Sequence, residues 1–329
     1  MMYFPNILFH TNSHIATTLV KLFSGAKSYS NLAFVPKHIP PNPDDLNRFQ
    51  HFLENSGLLC VLTGAGISTE SGIPDYRSEG VGLYATSNRR PVLYQDFRSK
   101  EHIRRRYWAR NYIGWPRFSN FQPNNVHKVL KYLEDYNRVS CIVTQNVDGL
   151  HSKAGSRNII ELHGTAHTVM CLSCDEKISR HDFQKVLNEL NPTVNAVSQE
   201  IRPDGDVELT EEQMEGFTLP SCKNCNGILK PDIVFFGDNV AKRVVERVQS
   251  EVNNADALLV LGTSLTTFSG YRIVLQAIEA KKPIAIVNIG ETRADKHANV
   301  KIESRCGDVL TKTFTMLNSN NSNNNIKLS

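Results

Sequence analysis

The sequence predicts an α/β protein, a doubly wound parallel sheet carrying a smaller inserted module. Three observations lead there. A continuous apolar run of strand length stands at Leu58–Leu62, and strand-length segments recur at Val139–Val143 and Ala257–Leu261. Amphipathic helical patterns alternate with them, and two Cys-x-x-Cys pairs stand outside that alternation. A strand buried on both faces reads as an unbroken apolar run, and strand–helix alternation builds right-handed βαβ units, so the core is of Rossmann type.

The elements follow in order. Asn42-Pro43-Asp44-Asp45 reads as an N-cap with proline and acids in the first turn, and Leu46, Phe49, Phe52 and Leu53 repeat on one helical face before Gly57. The first strand then runs into Thr63-Gly64-Ala65-Gly66. Val126, Val129, Leu130 and Leu133 mark a helix before the second strand, and Val244, Val248 and Val252 one before the third. A helix over 270–281 leads to a strand over 283–289. Residues 75–123, rich in Arg, Tyr and Trp, and residues 166–228, which hold the cysteine pairs, break the rhythm. They are assigned to a smaller lobe, leaving 44–74, 124–165 and 229–317 as the core.

Charge and the chain ends narrow the function classes. The formal charge is +4, but residues 1–43 hold Lys21, Lys27 and Lys37 with no acid; 37 basic residues less these three leave 34 against 33 acidic ones. That balance argues against a nucleic-acid partner held by phosphate contacts. The basic, Ser/Thr-rich, acid-free leader of 1–43 reads as a mitochondrial presequence, although it lacks arginine; a disordered cytosolic tail is the alternative. No run approaches the roughly 18 apolar residues of a membrane span, so no membrane association is expected. The Asn/Ser tract in 318–329 has little to bury and is expected to be disordered.

Two groups of residues carry chemistry. Cys171, Cys174, Cys222 and Cys225 can close a tetrahedron of thiolates around one structural Zn2+, across 47 intervening residues. Two redox pairs are the alternative, disfavoured because neither sits at a strand-to-helix corner. Gly64-Ala65-Gly66 after the first strand lets backbone approach a phosphate, but Thr69 stands where a dehydrogenase pattern needs a third glycine. A hydride-transfer enzyme therefore fits less well.

The loop continues Ser71-Gly72-Ile73-Pro74-Asp75-Tyr76-Arg77-Ser78. Further on come Thr144-Gln145-Asn146-Val147-Asp148-Gly149-Leu150-His151, Glu161-Leu162-His163-Gly164, Lys230-Pro231-Asp232 through Val234-Phe235-Phe236-Gly237-Asp238, Gly262-Thr263-Ser264-Leu265 and Val287-Asn288. On these segments the chain resembles the sirtuins, NAD-dependent protein lysine deacylases, over roughly 45–310. Tyr76 in the Pro-Asp-Tyr-Arg segment and the long loop between the cysteine pairs are similar to the mitochondrial class II branch. Asp238 departs from the broad family pattern, which favours Glu there.

The resemblance implies that an acyl-lysine oxygen attacks the nicotinamide ribose of NAD, expelling nicotinamide, with the acyl group ending on ADP-ribose. His163 would be the general base, with Asn146 and Asp148 holding ribose and carboxamide. It implies cofactor contacts at Gly64, Ala65, Gly66, Asp75, Arg77 and Gln145, with Tyr76 shielding the reacting centre. Gly262, Thr263 and Ser264 would meet the phosphates; Asn288, Ile289, Gly290 and the backbone at Cys306 would meet the adenosine half. His151 would be structural or supporting. The substrate polypeptide, carrying an acylated lysine of a mitochondrial matrix protein, would pair with Val234–Gly237 as an added strand. Tyr107-x-x-Arg110 resembles a pair that grips acyl chains ending in carboxylate, so acyl groups longer than acetyl, acidic ones included, are expected; a solvated helix face is the alternative for Arg110. ADP-ribosyl transfer to protein is the alternative reaction, and a zinc-dependent binding module the non-enzymatic one.

Overall fold

A computed structural model describes residues 32–87, 91–194, 196, 198 and 201–326, with side chains through 317. Among the described residues nine strands form two sheets: β1 Leu59–Thr63, β2 Val139–Thr144, β3 Ile159–Glu161, β4 Gly164–Cys171, β5 Lys177–Ser179, β6 Leu229–Ile233, β7 Ala257–Leu261, β8 Ile284–Val287 and β9 Val300–Ile302. The large sheet is entirely parallel, in the order β3-β2-β1-β7-β8-β9. Its order reverses between β1 and β7, and ligands of doubly wound sheets bind in the crevice beyond the carboxyl ends at such a point.

Alternation along each strand divides the core in two. Leu59, Val61, Ile142 and Leu259 face a layer completed by Phe49, Val129 and Phe314, whereas Cys60, Leu62, Val143 and Val260 face one completed by Val248, Ile273 and Ala277. The first helix, Pro43–Asn55, is capped by Asn42 Oδ1, which accepts from Asp45 N at 2.8 Å, and it buries Leu46, Phe49, Phe52 and Leu53. Burying a side chain of that size stabilises by about 1.5–3 kcal/mol.

The small sheet is antiparallel, β5-β4-β6. Leu229–Ile233, grouped with the core on sequence, pairs instead with β4 (Cys171 opposite Leu229, Val169 opposite Pro231). A single strand in an otherwise unpatterned region carries no mark of which sheet it joins. Helix Glu101–Phe118 fills much of the Arg/Tyr/Trp-rich region and packs Trp108 against Phe183 of helix Arg180–Leu190 at 4.7 Å between rings. Arg180, wholly buried, lies across Trp115 at 4.7 Å and donates to Asn111 Oδ1. This aromatic cluster is a third core, separate from the two that flank the large sheet.

The ends differ from the compositional reading. Residues 1–31 of the expected leader lie outside the described residues, but 32–42 rest on the core: Pro36 is buried and His38 Nε2 stands 3.7 Å from Asp308. The last helix spans Cys306–Ile326, so helical backbone continues past 317 into the Asn/Ser tract, while 327–329 lie outside the described residues. Val309, Leu310, Phe314 and Leu317 anchor its first half, from which helix propagates at little cost. Among the described residues no helix is long and apolar enough to cross a membrane.

Candidate active site

A cleft of about 940 Å³ opens at the carboxyl ends of the large sheet and runs between it and the small lobe. One end is built from backbone. Gly64 N donates to Leu261 O at 3.1 Å and Gly66 N to Gly262 O at 2.9 Å, which locks the turn after β1 onto the turn after β7. No side chain fits there: a Cβ on Gly66 would stand 2.8 Å from Gly262 O, and one on Gly262, whose φ is +59°, 2.6 Å from Ile67 N. The glycines thus serve first to bring two strand ends together, and Gly66 spends its N–H inside the protein rather than on a ligand.

Thr263 and Ser264 continue this wall, and Gln145 ties it together, its Nε2 donating to Thr263 Oγ1 at 3.1 Å and its Oε1 accepting from Thr267 Oγ1 at 3.0 Å. Asn288 Nδ2 donates to the carbonyls of Ile289 and Gly290, closing the turn after β8 that forms the cleft's far rim. Cys306 is set back from the cleft: buried, it donates its thiol to Val287 O at 3.3 Å and supports the rim from behind.

Next to the glycine turn lies a polar nest. Asn146 Nδ2 donates to Gly64 O and Ser68 Oγ, both at 3.1 Å; Ser68 Oγ donates to Asp148 Oδ2 at 2.7 Å; Asp148 Oδ1 accepts from Leu150 N at 2.9 Å. Burial raises the Asp148 pKa above its usual value, and these donors oppose the rise. His167 Nε2 donates to Asp148 O at 2.9 Å from behind, fixing the loop in place.

His163 sits between the two ends of the cleft. Its Nδ1 lies 3.0 Å from Gln145 O, a pure acceptor, so Nδ1 carries the proton and Nε2 is left with a lone pair. That lone pair accepts from Ser269 Oγ at 2.8 Å. Burial lowers the imidazole pKa below 6.5, partly offset by the Gln145 carbonyl. The ring is therefore neutral at pH 7 with Nε2 ready to take a proton. His151 lies apart from the cleft, buried, with Nε2 3.1 Å from Thr63 Oγ1 and its ring 4.8 Å from that of His127.

Above the nest, Asp75 accepts from Arg77 N, Ser78 N and Ser78 Oγ, which shapes the flap that brings Tyr76 and Arg77 to the cleft. Arg77 stacks over Tyr84 at 5.3 Å. On the opposite wall the segment Val234–Gly237 leaves β6: Val234 N donates to His163 O at 2.8 Å, and Phe236 O accepts from Tyr94 N at 2.9 Å. Lys230, buried below it, donates to the carbonyls of Pro231 and Ile233 under the Phe235 ring.

The remaining end is made of side chains. Tyr107 and Arg110 of helix Glu101–Phe118 line it, as do Arg202, Pro203, Asp204 and Asp206 from the loop between the cysteine pairs. Arg110 is neither a solvated helix face nor an open fork: Nε donates to both Asp206 oxygens at 2.9 and 3.1 Å, and Nη2 lies 2.9 Å from Oδ2, with both side chains under a tenth exposed. The guanidinium assigned on sequence to a ligand carboxylate is already held by one of the chain's own. Removing one member of such a buried pair costs about 3–5 kcal/mol.

The four cysteines converge. Cys171 and Cys225 sulfurs lie 3.4 Å apart, Cys174 and Cys222 3.8 Å, Cys174 and Cys225 3.3 Å, and all four fall within 4.8 Å of one another. A thiolate tetrahedron with bonds of about 2.3 Å has edges of roughly 3.8 Å, so this set fits one zinc ion with no position left open. None of the four lines the cleft, in keeping with a structural ion.

Comparison with known proteins agrees with this geometry. Residues 64–269 match the Sir2 family. The NAD-dependent protein deacylase Sirt4 of Drosophila melanogaster is 55% identical over 87% of this chain and 92% of its own, and the NAD-dependent protein lipoamidase sirtuin-4, mitochondrial, of Homo sapiens 52% identical over 84% and 88%. The chain belongs to the Sir2 family. A solved Sir2–p53 peptide–NAD+ complex superposes with a TM-score of 0.65 at 27% identity, covering 82% of this sirtuin and 97% of that chain.

The expected catalytic, cofactor and substrate residues of this sirtuin line one cleft, with Cys306 alone among them set behind it. Sequence reasoning missed Ser68, Ser269 and the Arg202–Glu208 loop. The alternation Asp204, Asp206, Glu208 after Arg202 was a signal of charge pairing, but nothing in it names Arg110, 96 residues away, as the partner.

Proposed function

We propose that this sirtuin is an NAD-dependent protein lysine deacylase of the mitochondrial matrix, acting on acyl groups longer than acetyl. The observation that carries the reading is His163, neutral, with its Nε2 lone pair directed into the cleft between the glycine turns and the Val234–Gly237 segment. Bound NAD supplies an electrophilic ribose carbon and a nicotinamide leaving group. Asn146, Asp148 and Ser68 would hold the nicotinamide ribose and carboxamide, since the amide and carboxylate already have fixed directions. His163 Nε2 would take a proton from a ribose hydroxyl standing where Ser269 Oγ now donates. Tyr76 and the flap around it would exclude water, and the acyl-lysine would enter beside Phe236 with its backbone paired to the adjoining strand segment.

The names of the fly and human relatives, deacylase and lipoamidase, support acyl transfer and an extended acyl group. The human relative's mitochondrial designation, with the composition of residues 1–43, supports the location. The test is mass spectrometry after incubation with NAD and a panel of acyl-lysine peptides. Nicotinamide together with acyl-ADP-ribose is the expected pair of products. ADP-ribose attached to protein would replace the reading by ADP-ribosyl transfer, and no nicotinamide at all would leave a binding protein.

A further inference from the structure

We propose that Arg272 selects among substrate polypeptides: its guanidinium takes an acidic side chain lying within two residues of the acylated lysine. The inference rests on the deacylase reading above and concerns the polypeptide that carries the acyl group, not the acyl group itself.

Among the described residues four arginines line the cleft, and three of them are engaged within the chain. Arg77 stacks over Tyr84, Arg110 is bound to Asp206 and Arg202 to Glu208. Arg272 is exposed, and its guanidinium has neither an acidic partner nor a hydrogen bond among the described residues. Its whole fork of donors is therefore left for a ligand, and carboxylate is the ligand that matches such a fork.

An unpaired arginine on a surface is ordinarily only solvated; position sets this one apart. Arg272 stands on helix Phe268–Glu279, three residues after Ser269, whose Oγ donates to His163 Nε2 at 2.8 Å. At about 1.5 Å of rise per residue it lies roughly 4.5 Å along the axis from the residue that touches the base. One turn before it on the same face is Phe268, 60% exposed and also in the cleft wall. The facing wall carries Asp238, Val240 and Val245, and the first two of these follow directly on the segment Val234–Gly237 along which the substrate backbone would run. An extended chain advances about 3.3 Å per residue, so a side chain one or two positions from the lysine comes within reach of an arginine placed one helical turn from the base. Polypeptide laid over Phe268, Val240 and Val245 removes water from the contact, which makes a charged pair there stronger than a fully exposed one. Asp238, whose Oδ1 accepts from Asn239 N at 2.8 Å, repels the same acid from across the gap and leaves the helix side as its place.

The test uses one peptide and one acyl group, the best substrate of the acyl-lysine panel, with Glu, Gln or Lys placed in turn at the two positions before and the two after the acylated lysine. At one or more of these positions wild type is expected to favour Glu over Lys in kcat/KM by about tenfold, through KM, and by less in about 0.5 M salt. Arg272→Gln should bring that ratio to within about twofold of unity. Arg272→Glu should invert it, a reversal that loss of fold or of cofactor affinity cannot produce. A wild-type Glu-to-Lys ratio within about twofold of unity at every position scanned overturns the proposal. So does an Arg272→Gln protein with an unchanged ratio, the result expected if Arg272 closes on Asp238 or meets a cofactor phosphate, since either would affect all peptides alike. Failure of wild type to release nicotinamide with any acyl peptide would instead overturn the deacylase reading, and this proposal with it.

Discussion

The two ends of the cleft are made differently. The glycine end is backbone fixed by backbone: strand ends of β1 and β7, joined by main-chain hydrogen bonds and a contact too close for any Cβ. The acyl end is side chain fixed by side chain, with an arginine on a helix held by an aspartate on a loop 96 residues later. The first arrangement follows from sheet topology and admits little variation. The second can change with one or two substitutions, so chemistry can be kept while specificity moves.

The largest effect should come from the zinc site, because the cysteines flank the loop that carries Asp206. Cys222→Ser, or prolonged chelation, is expected to lower deacylation by more than about a hundredfold while ADP-ribose still binds, since structural zinc sites contribute folding energy outright and the aromatic core is separate from those of the large sheet. Calorimetric titration with ADP-ribose beside a turnover assay checks this; equal loss of both would show that the two ends do not come apart.

An acid-sensitive feature belongs to the large sheet. His127 and His151 are buried in contact, and His127 Nε2 and His151 Nδ1 have no hydrogen-bond partner among the described residues. Burial lowers both pKa values, His151 to about 4. The unfolded chain therefore binds more protons below pH 6.5, and stability present above that pH is lost as pH falls toward the folded value. His151 alone accounts for roughly 3 kcal/mol over that window. Urea unfolding at pH 7.5 and 5 should show roughly 2 kcal/mol of it, and His151→Phe should flatten the pH dependence.

Gly262→Ala places a Cβ 2.6 Å from Ile67 N at φ +59°, a strain of about 1–3 kcal/mol. The expected result is a rise of about tenfold in the KM for NAD with the KM for the acyl peptide unchanged; a shift in the peptide KM would mean that the ends communicate. Ser269→Ala, the smallest effect, removes one donor worth about 1 kcal/mol from Nε2 and should alter kcat by less than about tenfold, because substrate hydroxyl is free to take its place.

Legibility in the sequence follows the same division. Apolar runs at 58–62 and 257–261, the Asn42 cap and the glycine turns were readable because strand burial, capping and close backbone approach each restrict the residue types allowed. The cysteine spacing and the resemblance marked zinc and His163. Residues 229–233 carry no local mark of the partner that β6 finds in β4, so the sequence groups them only with the core, and it does not show that Asp206 returns to Arg110. The tautomer of His163 rests on a single carbonyl, Gln145 O, whose position is set by tertiary structure.

The central claim is that His163 Nε2 acts as the base at the junction of the two ends. His163→Ala, given NAD and a neutral acyl peptide, should release nicotinamide about 10²–10⁴ times more slowly while binding ADP-ribose within about threefold of wild type. Nicotinamide release within about tenfold of wild type, with ADP-ribose still bound, would contradict it.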